Sequence, residues 1–455
     1  MAGPQTLTRS PSLATKSYWN PAIETMPAAT LAVMQQRLLK RQAAYLWRRS
    51  EFYRAAWLEA GIQSVDDIQL EDLHGFPLTT KAALRESLIA CPPLGYHQAA
   101  PMAGVIRVHA SSGTTGQPTY MGITRGDHDI WTESVSRVFW AAGFRPDDVY
   151  AHCLPLGMFV GGLPLQCAVE NIGSTFFSPW PGGTDRLVTM MEQLSATVLC
   201  STPSYVRRLT EYVQQELSTD PRSLGVRVMA LGAEPGTEVY RPELEATWGC
   251  TVVETAGNSD VLPLFYADCE LREGMHMLVP DYLYVELVDP VTKAPVAWEE
   301  GAEGGLVYTA LEREASPVFR LESNDHVVVA GTGTCQCGRT TPRLRIVGRY
   351  DDMMIVGGLN VFPSAIAEVL GQLPPEMTTG AFRIVRQDDA PAQRALVLRV
   401  AEPTPDLGGE DRARLETRIA DVVKESLGLR PVVELVPAHA VAAAEFKTKY
   451  VEDAQ

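Results

Sequence analysis

Between residues 29 and 60, apolar positions (Leu31, Met34, Leu38, Leu39, Ala43, Leu46) recur at helical spacing among Gln, Arg and Lys, which predicts an amphipathic helical start. Thr79-Thr80-Lys81 follows Pro77 and precedes Ala82-Ala83-Leu84-Arg85, the pattern of a helix N-terminus capped by a threonine hydroxyl. From about 105 to 255, short apolar runs (149–154, 197–200, 226–231, 251–253) alternate with helical patterns (187–194, 205–216, 242–248). Strand and helix in alternation predict an α/β fold, a largely parallel sheet with helices on its faces. Residues 283–289 (LYVELVD) and 304–310 (GGLVYTA) then run strand after strand, so a smaller β-rich unit closes the first part of the chain. The tail from about 350 reads strand (382–385), strand (396–400), helix (410–427) and strand (432–436), a compact α+β module of about a hundred residues. No internal repeat or low-complexity tract interrupts this order.

Composition narrows the class. With 455 residues, 45% hydrophobic and 21% charged, the chain has material for two or three domains with sizeable cores, which argues against disorder, collagen and coiled coil. A net charge of −16 repels phosphate backbones and anionic lipid, so nucleic-acid and membrane-surface partners are disfavoured. The N-terminal stretch MAGPQTLTRSPSLATKSYW is polar and has no apolar h-region, and no later stretch is apolar for about 18 residues, so a soluble, cytoplasmic protein is expected. Cys153, Cys167, Cys200 and Cys250 lie in or beside apolar segments, where thiols pack as small hydrophobes, and a reducing compartment fits best.

Two constellations carry chemistry on their own residues. Ser111-Ser112-Gly113-Thr114-Thr115-Gly116 follows the apolar run 105–108, and such a loop can turn several N–H groups and four hydroxyls toward one anion, with phosphate as the natural guest. It is not a Walker A loop, because the Gly-Lys-Ser/Thr ending is missing and Gln117 stands where a lysine could be. The second is Cys269, His276, Cys335 and Cys337: a C-x6-H spacing and a distant C-x-C offer three thiolates and an imidazole, enough for tetrahedral zinc. A C-x-C pair is badly placed for a mutual disulfide yet can chelate one ion. The remaining histidines form no such cluster.

With its surroundings, HASSGTTGQPT resembles the phosphate loop of the adenylate-forming enzymes, and more narrowly that of the phenylacetate-CoA ligase family. PLTTKAALRES (77–87), TRGDHDIW and AAGFRPDDV (124–149), GMFVGGLPL (157–165), VLCSTPSYV (198–206), LGAEP (231–235), GRYDDMMIVGGLNVFPSAI (348–366) and a lysine near the C-terminus are similar to that family in the same order, from roughly residue 20 to the end. The resemblance implies a large N-terminal adenylation domain (1–349), holding the ATP and acyl sites and a structural zinc site within 260–340, and a small mobile C-terminal lid (350–455). It implies that a carboxylate attacks the α-phosphate of ATP to give acyl-AMP and pyrophosphate, after which the thiol of coenzyme A displaces AMP. ATP with Mg2+, coenzyme A and an aromatic acid are the implied small-molecule partners, and a homodimer the implied assembly. Some members of the family carry a zinc site similar to the Cys/His set.

The resemblance also assigns residues. Lys447 matches the C-terminal lysine that bridges carboxylate and phosphate, with Lys449 as the fallback if the register slips; by itself a lysine in a charged tail is usually a solvated side chain. Arg349 matches a nucleotide-contacting arginine and Asp351 the acidic hinge between domains. Asp325, ending Phe319-Arg320-Leu321-Glu322-Ser323-Asn324-Asp325, matches the aspartate whose two oxygens take the ribose diol. Gly232, Ala233, Glu234 and Pro235 resemble the segment along the adenine ring, and Glu254 and Thr255 belong to the same nucleotide site. Phe159, Gly161 and Gly162 resemble the wall of the acyl pocket, with Lys81 facing its carboxylate end and Tyr205 a weaker candidate; Gly358 falls in the coenzyme A segment.

Several positions depart from the pattern. Where the family shows Tyr-Gly-x-Ser/Thr-Glu, this chain has Thr255-Ala256-Gly257-Asn258-Ser259-Asp260 after Glu254. The usual magnesium-binding glutamate is absent, and Asp260, one place along, or Glu254 is left to replace it. Gly357 stands where an arginine commonly precedes Gly358, Leu321 and Glu322 replace a tyrosine and a basic residue, and Leu156 sits where a tyrosine often lines the pocket. The expected activity is an AMP-forming aryl or arylacetate CoA ligase. The rivals are an adenylating enzyme serving a carrier protein, an amine or a cofactor, and a non-catalytic nucleotide or aryl-acid binding protein.

Overall fold

The computed structural model describes residues 17–111, 119–234, 237–350, 354–356, 359–386, 392–393, 396–404, 407–441 and 450–453. Its helices are α1 (Pro21–Glu24), α2 (Ala28–Arg49), α3 (Glu51–Glu59), α4 (Lys81–Ala90), α5 (Arg125–Ala141), α6 (Leu163–Ile172), α7 (Thr184–Leu194), α8 (Pro203–Glu211), α9 (Thr237–Trp248), α10 (Pro363–Gly371) and α11 (Gly409–Leu427). The strands up to residue 349 are β1 (Arg107–Ala110), β2 (Tyr120–Ile123), β3 (Val149–His152), β4 (Thr175–Phe177), β5 (Val198–Ser201), β6 (Val228–Leu231), β7 (Thr251–Asn258), β8 (Leu262–Ala267), β9 (Met275–Met277), β10 (Leu283–Val288), β11 (Glu303–Ala310), β12 (Leu321–Gly331) and β13 (Arg343–Arg349). β1 and β2 form an antiparallel hairpin, and the other eleven make one sheet in the order β10-β11-β12-β13-β9-β8-β7-β6-β5-β3-β4.

That sheet is the expected α/β fold with one difference. The parallel part (β4-β3-β5-β6-β7) and the β-rich part are continuous, because β7 serves both. Its first half, Thr251–Glu254, pairs in parallel with β6, and its second half, from Thr255, pairs antiparallel with β8. An eight-residue strand is long enough to change partner midway, a join that the short apolar run 251–253 did not reveal.

Alternation along the parallel strands sorts the core into two layers. Tyr150, Val198, Cys200, Val228 and Ala230 face α5 and α6, while Ala151, Leu199, Met229, Leu231 and Val252 face α7, α8 and α9. The N-terminal helices are tied on by an aromatic cluster: Phe319 is fully buried, edge-on to Trp57 at 4.8 Å, and packs against Phe76 and Tyr53. α4 starts where the sequence puts it, with the Thr80 hydroxyl accepting from the Ala83 N–H at 3.1 Å.

From residue 354 the chain builds its own sheets and core. β14 (Met354–Val356), β15 (Leu359–Val361) and β17 (Ala392–Gln393) form one sheet; β16 (Phe382–Arg386), β18 (Val397–Ala401), β19 (Val432–Val436) and β20 (Val451–Asp453) form another, in the order β19-β18-β16-β20. α10 and α11 pack on them through Ile366, Leu370, Ile419 and Val423. Among the described residues no helix is long and apolar enough to cross a membrane. Phe319→Ala removes the ring that joins the N-terminal helices to the sheet and is expected to cost about 3–5 kcal/mol in urea unfolding. A loss below about 1 kcal/mol would show that these helices are held elsewhere.

Candidate active site

Residues 112–118 lie outside the described residues, and Ser111 and Thr119, which flank them at the ends of the antiparallel pair β1–β2, are tied tightly together. The Ser111 N–H donates to the Thr119 carbonyl at 2.9 Å, and the Thr119 N–H donates to Ser111 Oγ at 3.0 Å. The Thr119 hydroxyl bridges Ser111 Oγ and Asp260 Oδ1, 2.7 Å from each, donating to the carboxylate and accepting from the serine. Asp260 Oδ2 pairs with Lys81 Nζ at 2.9 Å. Lys81 is the first residue of α4, so Asp260 ties together the loop stem, a helix start and the turn after β7. Ser112, Gly113, Thr114, Thr115 and Gly116 lie outside the described residues, as do Pro235, Asp351, Gly358 and Lys447.

Asp260 keeps the spacing of the family motif when counted from Gly257: Ala256-Gly257-Asn258-Ser259-Asp260 has an aspartate where that motif ends in glutamate. Only 2% of its side chain is exposed, and both carboxylate oxygens are engaged. Among the described residues Asp260 Oδ2 makes only the Lys81 ion pair, so a magnesium ion at this carboxylate would have to displace Lys81. Behind it lies Arg313, fully buried, whose Nη1 donates to the carbonyls of Asp260 and Val261 and whose guanidinium stands 5.2 Å from the Trp131 ring. His97 and His109 share this region, and burial lowers both imidazoles to about 4, so they are neutral at physiological pH.

The candidate acyl wall adjoins the loop stem. The Ala110 N–H donates to the Met158 carbonyl at 2.9 Å, which fixes the 158–162 segment beside the strand leading into the loop. The Phe159 ring folds over Gly161, where a Cβ would come within 2.3 Å of it, and a Cβ on Gly162 would come within 2.6 Å of the Pro155 carbonyl. Glycine at these two places is a packing requirement. Tyr205 sits elsewhere: it packs into the layer of α7–α9, with its hydroxyl 3.4 Å from Thr184 Oγ1, and no described contact brings it to Phe159.

The candidate nucleotide segments meet where β7 leaves β6, past the carboxyl ends of the parallel strands, the edge at which open α/β sheets bind ligands. Gly232 follows β6, and a Cβ there would come within 2.1 Å of the Thr255 carbonyl, so this close approach admits only glycine. Ala233 is held at φ +68°, and the Glu234 carboxylate accepts from the Ser204 N–H at 2.6 Å, satisfying an amide in the first turn of α8. Burial, reinforced by Asp268 and Glu238, raises the Glu254 carboxyl to about 8, so it is mainly protonated at neutral pH and is not an open anionic metal ligand. Farther along the sheet, Asp325 and Arg349 are register partners on β12 and β13 and form an ion pair at 3.2 Å.

The Cys/His set also assembles. One ligand atom from each of Cys269, His276, Cys335 and Cys337 lies within 4.8 Å of the others. Cys269 follows β8, His276 sits on β9, and Cys335 and Cys337 belong to the turn between β12 and β13. Hydrogen bonds from Cys269 and His276 pull the Cys337 thiol far below its usual range, giving a thiolate ready to bind a cation. Arg343 and Arg339 approach Cys335 and Cys337 at 3.3 and 3.7 Å, opposite charges that ease the crowding of thiolates. This donor set suits zinc.

Sequence reasoning missed Thr119, Arg313 and His97. Their positions depend on pairings between distant parts of the chain, 53 residues apart for Arg313 and Asp260 and 141 for Thr119 and Asp260, and no local pattern marks them. Lys81→Met is expected to cost about 2–3 kcal/mol in urea unfolding, below the cost of breaking a fully buried pair because Lys81 keeps 24% of its side chain exposed. Adding Asp260→Asn should recover part of that loss, because it removes the stranded charge. Strict additivity of the two losses would show that the pair is not coupled.

The comparisons with known proteins agree with this geometry. Residues 97–310 match the AMP-binding enzyme family and residues 358–455 the AMP-binding enzyme C-terminal domain. The chain is 35% identical to the phenylacetate-coenzyme A ligase of Thermus thermophilus, over 92% of this chain and 95% of that protein. It is 32% identical to the phenylacetate-coenzyme A ligase of Escherichia coli, over 95% and 96%. Among solved structures, 2-hydroxyisobutyryl-CoA ligase in the postadenylation state, in complex with 2-HIB-AMP, superposes with a TM-score of 0.88 at 32% identity, covering 97% of this chain and 93% of that one. The same ligase with 2-HIB-AMP and CoA in the thioesterification state gives 0.71 at 32% identity, covering 96% and 92%. Sequence match along nearly the whole chain and a shared fold place this chain in the phenylacetate-coenzyme A ligase family of AMP-binding enzymes.

Proposed function

We propose that the protein is an AMP-forming ligase that activates an aromatic or arylacetic acid with ATP and transfers the acyl group to coenzyme A. The observation that carries this reading is the convergence of the hydroxyl-lined loop stem, Lys81 and the Phe159 segment around Asp260, together with the close Gly232–Thr255 contact at the carboxyl ends of the strands. A carboxylate is a poor acyl donor because its leaving group would be oxide. Its attack on the α-phosphate of ATP forms the C–O–P link of acyl-AMP and releases pyrophosphate; the coenzyme A thiol then gives up its proton, forms the thioester and releases AMP.

In this reading Ser111 through Gly116 cradle the phosphates, Gly232–Pro235 with Glu254 and Thr255 line the adenine, and Asp325 takes the ribose diol with Arg349 beside it. Phe159, Gly161 and Gly162 wall the acyl group, and the Lys81 ammonium draws its carboxylate. Tyr205 bounds the site only from the α8 side. Mg2+ enters with ATP as its phosphate complex, and no step is assigned to a protein-held magnesium ion. Residues 1–349 are the adenylation domain and 350–455 the lid, with Asp351 as hinge and Gly358 in the coenzyme A path; the active protein is a cytoplasmic homodimer.

Lys447 supplies the cation between carboxylate and phosphate in the first step. Its neighbour Tyr450 supports this: burial raises the Tyr450 hydroxyl, and Glu234 and Tyr240 raise it further, so it lies within electrostatic reach of the segment after β6. Three residues of chain span at most about 10 Å. The fit to a postadenylation structure, better than to a thioesterification one, supports a lid set for adenylation. The Cys269, His276, Cys335 and Cys337 donors hold one structural zinc, which pins the turn between β12 and β13.

Pyrophosphate release with a panel of aromatic acids tests the reading. Multiple turnovers are expected only with coenzyme A, and no release with any acid despite ATP binding would overturn it. Lys447→Ala should slow pyrophosphate formation about 10²–10³-fold and leave thiolysis of supplied acyl-AMP unchanged; equal loss in both would remove this role. Elemental analysis should find about one zinc per chain, and its removal by a chelator should lower the melting temperature. Metal-free protein with the same melting temperature would contradict the zinc assignment.

A further inference from the structure

Arg207, the fifth residue of α8, reaches from the large sheet domain to the C-terminal module. Its Nη2 donates to the Thr379 carbonyl at 2.7 Å, and its guanidinium stands 4.5 Å from the centroid of the Tyr240 ring on α9. The receiving turn is braced: the Gly380 N–H donates to Thr378 Oγ1 at 3.1 Å, and that hydroxyl donates to the Ala401 carbonyl at 3.0 Å. Beside it, α10 ends against α9 at Gly371, where a Cβ would come within 2.7 Å of Val239 and 3.3 Å of the Tyr240 ring. α8 is itself anchored to the segment after β6, since Glu234 accepts from Ser204, one turn before Arg207. A continuous line of contacts therefore runs from the segment after β6, through α8, to the module that carries the C-terminal lysine.

We propose that Arg207 and Tyr240 form a latch, seated on the Thr379 carbonyl and the Gly371 approach, that holds the C-terminal module in its adenylation arrangement. Arg207 is thus a positioning residue for the first half-reaction, an inference that rests on the acid–CoA ligase reading. One hydrogen bond to a backbone carbonyl and one cation–π contact bias a two-state equilibrium by about tenfold, enough to favour one arrangement without preventing the other. The acceptor is main chain, so no side-chain pattern in residues 374–381 would advertise it.

The test uses the full-length protein. Arg207→Ala removes the grip, and Gly371→Ala places a wedge at the end of α10 without touching the proposed binding residues. Each variant should slow pyrophosphate formation about tenfold and leave thiolysis of supplied acyl-AMP at the wild-type rate or above. Arg207→Lys, which keeps a donor for Thr379, should recover part of the loss. Spin labels on non-natural residues at the exposed positions Val33 and Val432 should report a longer or broader distance distribution in both alanine variants. Unchanged distances, or equal slowing of both half-reactions, would overturn the latch. The distance measurement needs no acid substrate, so it judges the latch even where wild-type protein releases no pyrophosphate and the ligase reading fails.

Discussion

A buried carboxylate stripped of its hydration needs partners that are themselves fixed, and Asp260 meets that need by drawing three distant segments to one point. Thr119 closes the hairpin stem, Lys81 opens α4, and Arg313 holds the Asp260 carbonyl from behind. An unpaired carboxylate there would cost several kcal/mol, so the loop stem and the lysine are held in place by the same force that keeps the core intact.

The same economy appears at the other end of the site. β7 changes partner midway, and at that point Gly232 packs directly on the Thr255 carbonyl, a contact that only a glycine permits. An acidic chain of net charge −16 that handles a triphosphate and a carboxylate must concentrate its cations locally, and Lys81 and Arg349 are each already paired with a carboxylate. Such pairs hold a cation in place before an anionic ligand competes for it, at the expense of part of its attraction for that ligand.

Much of this was legible in the sequence. The alternation from 105 to 255, the cap at Thr80 and the tail order all reappear in the structure, because strand and helix periods are local properties. Asp325 and Arg349 were marked separately for the nucleotide, and the antiparallel register of β12 and β13 makes them neighbours. The Cys/His donors were marked by spacing and meet within 4.8 Å. The continuity of the sheet through β7, the Asp260–Thr119–Lys81 junction and the Arg207 contact were not legible. Each is a long-range pairing made by ordinary residues, and Thr379 takes part through its backbone alone. Tyr205, chosen for its motif, packs in the layer of α7–α9 with its hydroxyl near Thr184, a placement set by helix phase on α8.

The central claim is that the loop beginning at Ser111 and the lysine at 447 act on one nucleotide, although more than three hundred positions separate them in the chain. A crystal structure of the full-length protein with a non-hydrolysable acyl-AMP analogue tests this most directly. The account predicts the phosphate between residues 112–116 and the Lys447 ammonium, with the adenine against Gly232 and Thr255. An analogue bound away from that loop, or bound there with the C-terminal lysine directed into solvent, would contradict it.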